Sequence, residues 1–355
     1  MTSGDMRIVE FDTHKASDEL YNMYFELVEK LGEEKRPGEN PPPRNLLRRI
    51  MTTKIPEVKQ YWWLVLTKEI EKEKAIGVAR IGFSTKKDPA YQENKHNADI
   101  RLDVDKDYRK RGIGNNALKV LIEKAKEDKH VNTLLVDVNL EPGHKFCKKL
   151  GGEVALEAAE NRLHMKEVNW SMIEQWKVEG DKKADLEGVT MHSFTDCPED
   201  ILTEYVDIYT ETINQQPLGE IDVEMRVTTE SRRAQEEQIK QQGLKWFTQI
   251  TREKDGKISG LTEVLQIPEM PERIMQLLTG VKKEYRGRGL GKWLKADMLL
   301  YIRDNFPETK FIQTDNAISN VSMISINDRM GFKLNIAQTM YKFDLKELDQ
   351  RLNGI

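Results

Sequence analysis

The sequence predicts an α/β protein made of two similar domains in tandem, and three observations carry this prediction. First, the pattern R-x-x-G-x-G occurs twice, beginning at Arg109 and at Arg286. Second, an asparagine follows each arginine after 30 residues, at Asn139 and at Asn316. Third, each copy lies between a strand-like segment and an amphipathic helix, and a further strand and helix follow. Landmarks that recur in the same order indicate an internal repeat, so each half is expected to be a sheet covered by helices.

In the first half, the apolar periodicity predicts a strand, two helices and three strands before the loop. These elements are predicted at residues 6–11, 18–31, 44–51, 61–66, 75–83 and 100–104. Three prolines at 41–43 exclude helix from the connection between the two helices, because proline lacks the backbone donor that a helix interior needs. After the loop, a helix with Leu118 and Leu121 on its apolar face precedes a strand at 134–139 and a second helix.

The second half repeats this order after a connecting helix at 169–183, in which Met172, Ile173 and Trp176 form an apolar stripe. Its strands are predicted at 189–194, 246–251, 258–265, 274–281, 311–316 and 338–345, and its helices at 201–213, 229–241 and 319–330, besides the helix that follows the loop. Asp255-Gly256, between two of these strands, is a strong hairpin signal. The predicted domains are therefore residues 1–168 and 185–355, joined by a linker helix at 169–184.

Composition excludes several classes of protein. The chain of 355 residues has 33% charged residues and a formal net charge of −4, which argues against a general nucleic-acid-binding protein. Cys147 and Cys197 give neither a disulfide framework nor a metal cluster, so no metal is expected. Residues 1–10 lack the apolar core of a signal peptide, and no apolar run reaches membrane-spanning length. We therefore expect a cytoplasmic protein without a membrane partner; the sequence does not fix its oligomeric state.

The loop at 285–291 has the chemistry of a polyphosphate-binding site. A strand leads through glycines and arginines into a helix, so free backbone N–H groups and the positive end of a helix dipole meet two guanidinium groups. The P-loop pattern fails because Trp293 stands where it needs a hydroxyl, and the dinucleotide pattern fails because Lys292 replaces its third glycine. In the first copy one alternative stays open, since G-x-G-x-x-A beginning at Gly112 matches a looser dinucleotide fingerprint.

These motifs resemble those of the GNAT superfamily of acyl-CoA-dependent acyltransferases. The matching segments of the second half are 279–281, 285–291, 314–323, 326–327 and 330–332. The whole chain resembles tandem GNAT proteins of bacteria and archaea, of which mycothiol synthase is one relative. The resemblance implies an α/β fold of two tandem GNAT domains, each a mixed, splayed β-sheet flanked by helices, with acetyl-CoA as the co-substrate.

The resemblance also implies which residues hold acetyl-CoA. Its pyrophosphate and pantetheine arm would contact Thr279, Gly280, Val281, Arg286, Gly287, Arg288, Gly289, Leu290, Gly291, Asn316 and Asn320. For Asn320, a helix cap is the open alternative. A second CoA site in the first half would consist of Arg109, Arg111, Gly112, Gly114 and Asn139.

Two residues are candidates for catalysis. Glu263 is the predicted general base, because its strand places it on one face with Leu261 and Leu265, where partial burial would raise its pKa. A surface-facing Glu263 is the alternative, and the first half has Arg80 at the corresponding position. The resemblance places a tyrosine acid where this chain has Asn327, so Asn327 is the candidate there and water is the alternative proton source.

The second half is expected to be catalytic and the first degenerate, because the second has the candidate base and the fuller motif. The loop at 214–220 corresponds to a segment that borders the acceptor in GNAT folds, so Asn214 and Glu220 are the predicted acceptor-binding residues. The predicted reaction is acetyl transfer from acetyl-CoA to a primary amine of a small molecule, by direct attack in a ternary complex. The alternatives are a non-catalytic acyl-CoA-binding or scaffold protein, and a protein lysine or N-terminal acetyltransferase.

Overall fold

A computed structural model describes residues 6–69 and 72–354 of the chain. The chain divides into two compact units, each with its own set of strands and helices. The first unit comprises Met1–Leu156, Glu220–Val223 and Thr339–Ile355, and the second comprises Glu157–Gly219 and Glu224–Gln338. The prediction of an α/β fold with two similar halves is confirmed.

The first unit is a six-stranded sheet with helices on both faces. Its strands, in the order β1-β2-β3-β4-β5-β12, are β1 Met6–Glu10, β2 Val58–Glu69, β3 Lys72–Ser84, β4 Asn97–Val104, β5 Thr133–Val138 and the last part of β12 Lys333–Asp344. Its helices are α1 Asp18–Lys35, α2 Arg44–Thr52, α3 Tyr91–Asn94, α4 Ile113–Lys126, α5 Glu141–Lys149 and α11 Leu345–Asn353. Apolar side chains of α4 and α11 form the core on one face of the sheet, and those of α1 form the core on the other.

The second unit repeats this arrangement. Its strands, in the order β6-β11-β10-β9-β8-β7, are β6 Glu153–His164, β7 Thr190–Phe194, β8 Lys245–Arg252, β9 Ile258–Gln266, β10 Arg273–Val281 and β11 Phe311–Ala317. Its helices are α6 Trp170–Glu187, α7 Leu202–Ile213, α8 Thr229–Gln241, α9 Leu290–Asn305 and α10 Val321–Met330. Helices α6, α9 and α10 share one core, and α7 packs into a second core on the opposite face. The predicted linker helix, α6, thus contributes to the core of this unit.

Each half contributes its last strand to the sheet of the other unit. Strand β6 follows α5 in the chain but pairs antiparallel with β11, from Phe311 opposite His164 onward. Strand β12 pairs antiparallel with β5, from Thr339 opposite Val138 onward. The predicted domain boundaries at residues 168 and 185 come from the sequence repeat alone. The compact units have different boundaries because each includes a strand from the other half of the sequence. Periodicity identifies a strand but not its neighbour, so the sequence does not predict the exchange.

In each unit, two neighbouring parallel strands separate and leave a cleft between them, at corresponding positions in the two units. The parallel strands β10 and β11 pair only from Arg273–Phe311 to Met275–Gln313, and β4 and β5 pair only from Asn97–Thr133 to Asp99–Leu135. Beyond these pairs the strands separate, which confirms the predicted splayed sheets. In β10 the register with β9 also shifts between Gln276 and Thr279, whereas no shift interrupts the pairing of β4 with β3. The cleft of the second unit therefore has an additional irregularity along one wall.

The two glycine-rich loops have the same backbone shape despite different sequences. Gly289 and Gly112 are the N-caps of α9 and α4, with φ of 88° and 78°. One residue after each arginine, Gly287 has φ of 78° and Lys110 has φ of 59°. Lys110 is the one non-glycine residue with positive φ in the described part of the chain. The loop therefore imposes a left-handed conformation that a lysine adopts only at a cost.

We expect Lys110→Gly to stabilise the protein by about 0.5 to 1 kcal/mol, because glycine adopts positive φ without a Cβ penalty but loses more backbone entropy on folding. Gly287→Lys is the matched control and should destabilise it by a similar amount, since a Cβ there meets no atom within 4 Å and only the backbone conformation is penalised. Urea unfolding of both variants measures the two changes. A destabilising Lys110→Gly would contradict the strain argument.

Candidate functional site

The cleft of the second unit combines free backbone groups with the start of a helix. Beyond Met275 the edge of β10 that faces β11 has no strand partner, so its N–H and C=O groups can bind a ligand. Among the described residues, no side chain caps the first turn of α9. A Cβ added at Gly287 or Gly289 would meet nothing within 4 Å, so a bulky anion can approach these amides closely. The loop thus offers the anion-binding geometry that the sequence predicts for residues 286–291.

The two arginines of this loop have different partners. Arg286 donates through Nε to the Val281 carbonyl at 3.1 Å, and its Nη2 contacts the neutral side-chain oxygen of Gln215. Arg288 is held by carboxylates: its Nε lies 2.8 Å from Glu187 and its Nη1 lies 2.9 Å from Glu253. Within the described residues Arg286 forms no ion pair, so its positive charge is available to a ligand, whereas the charge of Arg288 is already neutralised.

The corresponding arginine of the first unit is neutralised. Arg109 also donates through Nε to a carbonyl, that of Val104, at 3.0 Å. Its two terminal nitrogens bind both carboxylate oxygens of Glu34 at 2.6 and 2.5 Å. Glu34 lies in the last turn of α1, where the second unit has Gln215 just beyond the end of α7. A bidentate carboxylate satisfies the same face of the guanidinium that a phosphate would use.

The walls of the two clefts differ as well. At the position of Gly280, where an added Cβ would lie 2.5 Å from Thr212, the first unit has Asp103. Burial alone would raise the pKa of Asp103, but Arg101 at 2.6 Å and Lys35 at 2.7 Å outweigh it and lower the pKa to about 2. The first cleft therefore contains partly buried ion pairs where the second has glycine and uncharged backbone.

The other residues predicted for a first-unit CoA site have different surroundings from one another. Arg111 donates to the Asp107 carbonyl at 2.9 Å and lies over the ring of Tyr108. A Cβ on Gly114 would lie 3.4 Å from the ring of Phe146, whereas Gly112 has open space. Asn139, predicted to be the last residue of this strand, instead follows β5 directly and is partly buried. The first unit therefore has the backbone conformation of an anion-binding loop, but its arginine, Arg109, is bound to Glu34.

Glu263 is fully buried rather than partly buried. It accepts hydrogen bonds from the Tyr205 hydroxyl, from Arg232 Nη1 at 3.0 Å and from Thr248 Oγ1 at 3.2 Å. Burial raises the pKa of Glu263, and the Arg232 guanidinium opposes this shift. The predicted direction of the pKa shift thus agrees with the structure, but the predicted access of this carboxylate to a substrate has no support in this geometry.

Arg232 explains why a carboxylate is buried here. Its Nε binds Glu236 at 3.1 Å, and its guanidinium lies 3.9 Å from the ring centre of Trp246 and 4.8 Å from that of Tyr205. These contacts join α7 and α8 to the sheet through one buried charge network. Removing one member of such a network would leave an uncompensated charge, so a structural role accounts for Glu263, and its role as general base stays a prediction.

Asn327 lies in a buried chain of three side chains. Lys295 Nζ in α9 donates to Asn327 Oδ1 at 2.6 Å, and Asn327 Nδ2 donates to Asn316 Oδ1 at 2.8 Å. Lys295 is 2% exposed and Asn327 is 3% exposed, while Asn316 at the end of β11 is partly exposed. The structure therefore connects two predicted site residues, Asn316 and Asn327, through a lysine that sequence reasoning missed. The sequence contains one signal that could have identified this lysine. Lys295 is at helical spacing with Leu299 and Ile302, so it lies on the apolar, buried face of its helix.

Burial lowers the pKa of Lys295 to about 7. Between about pH 7 and pH 10 the unfolded chain therefore holds a proton that the native chain does not, so the native state gains stability as pH rises. We expect the unfolding free energy of the wild type, relative to Lys295→Met, to rise by about 2 kcal/mol between pH 7 and pH 9. Urea unfolding of both proteins at several pH values measures this difference. A difference independent of pH would show that Lys295 keeps its ordinary pKa.

The remaining predicted residues have local roles. Asn320 is the N-cap of α10 and accepts from the Met323 N–H at 3.4 Å, so the helix-cap alternative describes its contact. The amide of Asn214 pairs with both backbone groups of Met225, at 2.5 and 3.0 Å. Glu220 belongs to the first unit, where its N–H donates to the Ala155 carbonyl at 2.7 Å. The structure does not bring Asn214 and Glu220 into one acceptor site within either unit.

An open groove lies along α7 in the second unit. Its volume is about 570 Å³, and it is lined by Val206, Asp207, Thr210, Glu211, Arg226, Val227, Thr228 and Thr229. Glu211 also accepts a hydrogen bond from Gln215 Nε2 at 2.9 Å, and Gln215 contacts Arg286. The groove therefore neighbours the phosphate loop and offers two carboxylates to a cationic ligand.

Other chemistries find little support in the described residues. Burial raises the pKa of the Cys147 and Cys197 thiols to about 12, which makes both poor nucleophiles. Between residues 6 and 354, apart from 70 and 71, no group of three or more His, Cys, Asp or Glu side chains is arranged to hold a metal. Over the same residues, every helix is too short or too polar to cross a membrane.

Comparisons with known proteins agree with the predicted family and fold. Residues 25–152 match the acetyltransferase (GNAT) family. This range lies in the first half and spans its glycine-rich loop. No match was found among the curated proteins.

Solved structures of similar fold cover nearly the whole chain. A tandem GNAT protein from the clavulanic acid biosynthesis pathway, solved without acetyl-CoA, is 20% identical with a TM-score of 0.74, over 96% of this chain and 99% of that protein. A GCN5-related N-acetyltransferase from Sphaerobacter thermophilus is 14% identical with a TM-score of 0.65, over 97% of each chain. The N-myristoyltransferase of Saccharomyces cerevisiae, solved with myristoyl-CoA, is 11% identical with a TM-score of 0.56, over 97% of this chain and 79% of that one. Identities this low establish likeness of fold.

Proposed function

Because residues 25–152 match the GNAT family and the chain has the tandem GNAT fold throughout, we propose that it is an acetyl-CoA-dependent N-acetyltransferase. The family match and the fold support acyl transfer from an acyl-CoA. The proposed acceptor is a primary amine of a small molecule, and the proposed catalytic unit is the second. The observation that carries this choice is the open cleft beside Arg286, whose guanidinium forms no ion pair within the described residues.

The family match falls in the first half, whereas the proposal places catalysis in the second. A family match measures the likeness of a whole sequence segment, and a single carboxylate can block a site without reducing that likeness. Glu34 holds Arg109 in a bidentate pair, and Asp103 occupies the place of Gly280. These two differences support the first unit as the degenerate one.

The proposed mechanism uses mainly the backbone of the second unit. The amides of residues 287–291 and the Arg286 guanidinium would bind the pyrophosphate of acetyl-CoA. The free edge of β10 near Thr279–Val281 would pair with the pantetheine arm, and one of its N–H groups would polarise the thioester carbonyl. A neutral amine attacks the carbonyl carbon, the C–S bond breaks with its electron pair going to sulfur, and the amine's extra proton passes to water or a base.

The acceptor is proposed to approach along the groove beside α7. The carboxylates of Asp207 and Glu211 would favour a cationic amine over an anionic one. Asn214 is engaged with Met225, so it is not included in this proposal. The predicted participation of Glu220 also lacks a contact that supports it.

The test is a panel of small amines incubated with acetyl-CoA and the full chain, with release of free CoA thiol as the readout. Amine-dependent release supports the proposal, and thiol release with lysine peptides alone would favour protein acetylation. Saturable acetyl-CoA binding without release under any condition would favour the acyl-CoA-binding alternative. Longer acyl-CoA donors belong in the same panel, because the yeast protein of similar fold binds myristoyl-CoA.

A further inference from the structure

A lysine is buried in the core of the second unit without an acidic partner. Lys295 belongs to α9, and its Nζ lies 5.0 Å from the ring centre of Phe332. In the described residues, its one hydrogen-bond acceptor is the side-chain oxygen of Asn327, and no carboxylate lies within 4.0 Å. Burying the amino group of a lysine with no carboxylate partner is costly, so its presence calls for a function beyond packing.

The hydrogen bond from Lys295 sets the direction of the adjoining amides. Because Lys295 Nζ donates to Asn327 Oδ1, the Nδ2 of Asn327 faces and donates to Asn316. Asn316 must then accept through Oδ1, which leaves its own Nδ2 free to donate elsewhere. The result is a row of side-chain N–H groups that begins at the lysine and ends at the partly exposed Asn316.

This row ends at the open cleft. Asn316 lies three residues beyond Gln313, the last residue of β11 that pairs with β10. It therefore lies on the wall opposite the free edge of β10, along which the proposed function places the arm of acetyl-CoA. In that arm, the sulfur gains negative charge as the C–S bond breaks, and N–H donors aimed at a developing charge accelerate a reaction.

We propose that Lys295 is a positioning residue that, through Asn327, directs the Asn316 amide N–H groups toward the departing sulfur of the acyl donor. This inference rests on the proposed function. The Asn316 amide donates a hydrogen bond and no proton: the electron pair of the C–S bond stays on the thiolate, which water protonates later. Lys295 acts through Asn327 and does not touch the donor.

A double-mutant cycle tests this assignment. Lys295→Met removes the ammonium and keeps a similar apolar volume, and Asn327→Ala removes the amide. Each should lower kcat about tenfold while the KM for acetyl-CoA stays within about twofold, and the double variant should be no slower than Asn327→Ala. Arg303→Met in the last turn of the same helix is the control and should leave kcat unchanged. Additive losses, or an effect on KM instead of kcat, would overturn the inference.

A second measurement does not depend on turnover. The ultraviolet absorbance of thiolate reports the ionisation of bound CoA, and we expect its thiol to ionise about one pH unit higher in Lys295→Met than in the wild type. Unchanged ionisation in the variant would reject the role of Lys295 while leaving acyl transfer intact. Failure of the wild type to bind CoA would instead reject the proposed function itself.

Discussion

Arg286→Glu is expected to abolish turnover. The variant replaces the guanidinium beside the free amides of the second loop with a carboxylate, so a charge-assisted contact with the pyrophosphate becomes a repulsion. We expect acetyl-CoA binding to weaken by at least about 2 kcal/mol, which corresponds to about thirtyfold in affinity. The rate of free CoA release at fixed acetyl-CoA measures the loss, and circular dichroism checks that the fold is intact.

Arg109→Glu is the matched variant in the first loop and should retain most of the turnover. Arg109 is already bound by Glu34, so it contributes no free charge to a ligand. If Arg109→Glu abolished turnover and Arg286→Glu did not, catalysis would belong to the first unit. Loss in both variants with native circular dichroism would show that the two units act together.

Exchanging the residue types at Glu34 and Gln215 should exchange the binding properties of the two loops. Gln215→Glu places a carboxylate where it can form with Arg286 the pair that Glu34 forms with Arg109, and we expect it to weaken acetyl-CoA binding by about 2 kcal/mol. Glu34→Gln frees Arg109, and we expect it to add a weak second site to the chain. Calorimetric titration with acetyl-CoA gives both the affinity and the number of sites.

The Glu34→Gln substitution also removes one negative charge from the first unit, so Glu33→Gln on the same helix serves as a control for net charge. If Gln215→Glu left the affinity unchanged, the pairing of the loop arginine would not determine binding. If Glu34→Gln added no binding site, the ion pairs around Asp103 would be sufficient to exclude acetyl-CoA from the first cleft.

The loops and the elements around them could be predicted because their signals are local. Glycines at positive φ, the helix start after each loop and the offset to Asn139 and Asn316 all lie within one short segment. Helix α8 is predicted at 229–241, where the structure has it, with Thr228 as its N-cap. The splay of the sheets is implied by the family resemblance.

What the sequence does not reveal depends on contacts between distant segments. The exchange of β6 and β12 requires knowing which strand lies beside which, and no periodicity contains that information. The pairing of Glu34 with Arg109 joins residues 75 positions apart. The predicted partial burial of Glu263 is an underestimate because Arg232, its partner, lies in a helix whose composition is typical of an exposed one. Helix α11 is absent from the prediction, since it follows the last predicted strand without a break.

A crystal structure of the chain with saturating acetyl-CoA tests the central claim most directly. We predict the pyrophosphate on the amides of residues 287–291 with Arg286 turned from Gln215 toward it, and the pantetheine arm between β10 and β11. The first unit should keep the Arg109–Glu34 pair and hold no CoA. Acetyl-CoA bound at the loop after Arg109 alone, or absent from both loops, would contradict the assignment of the second unit as the acyl-donor site.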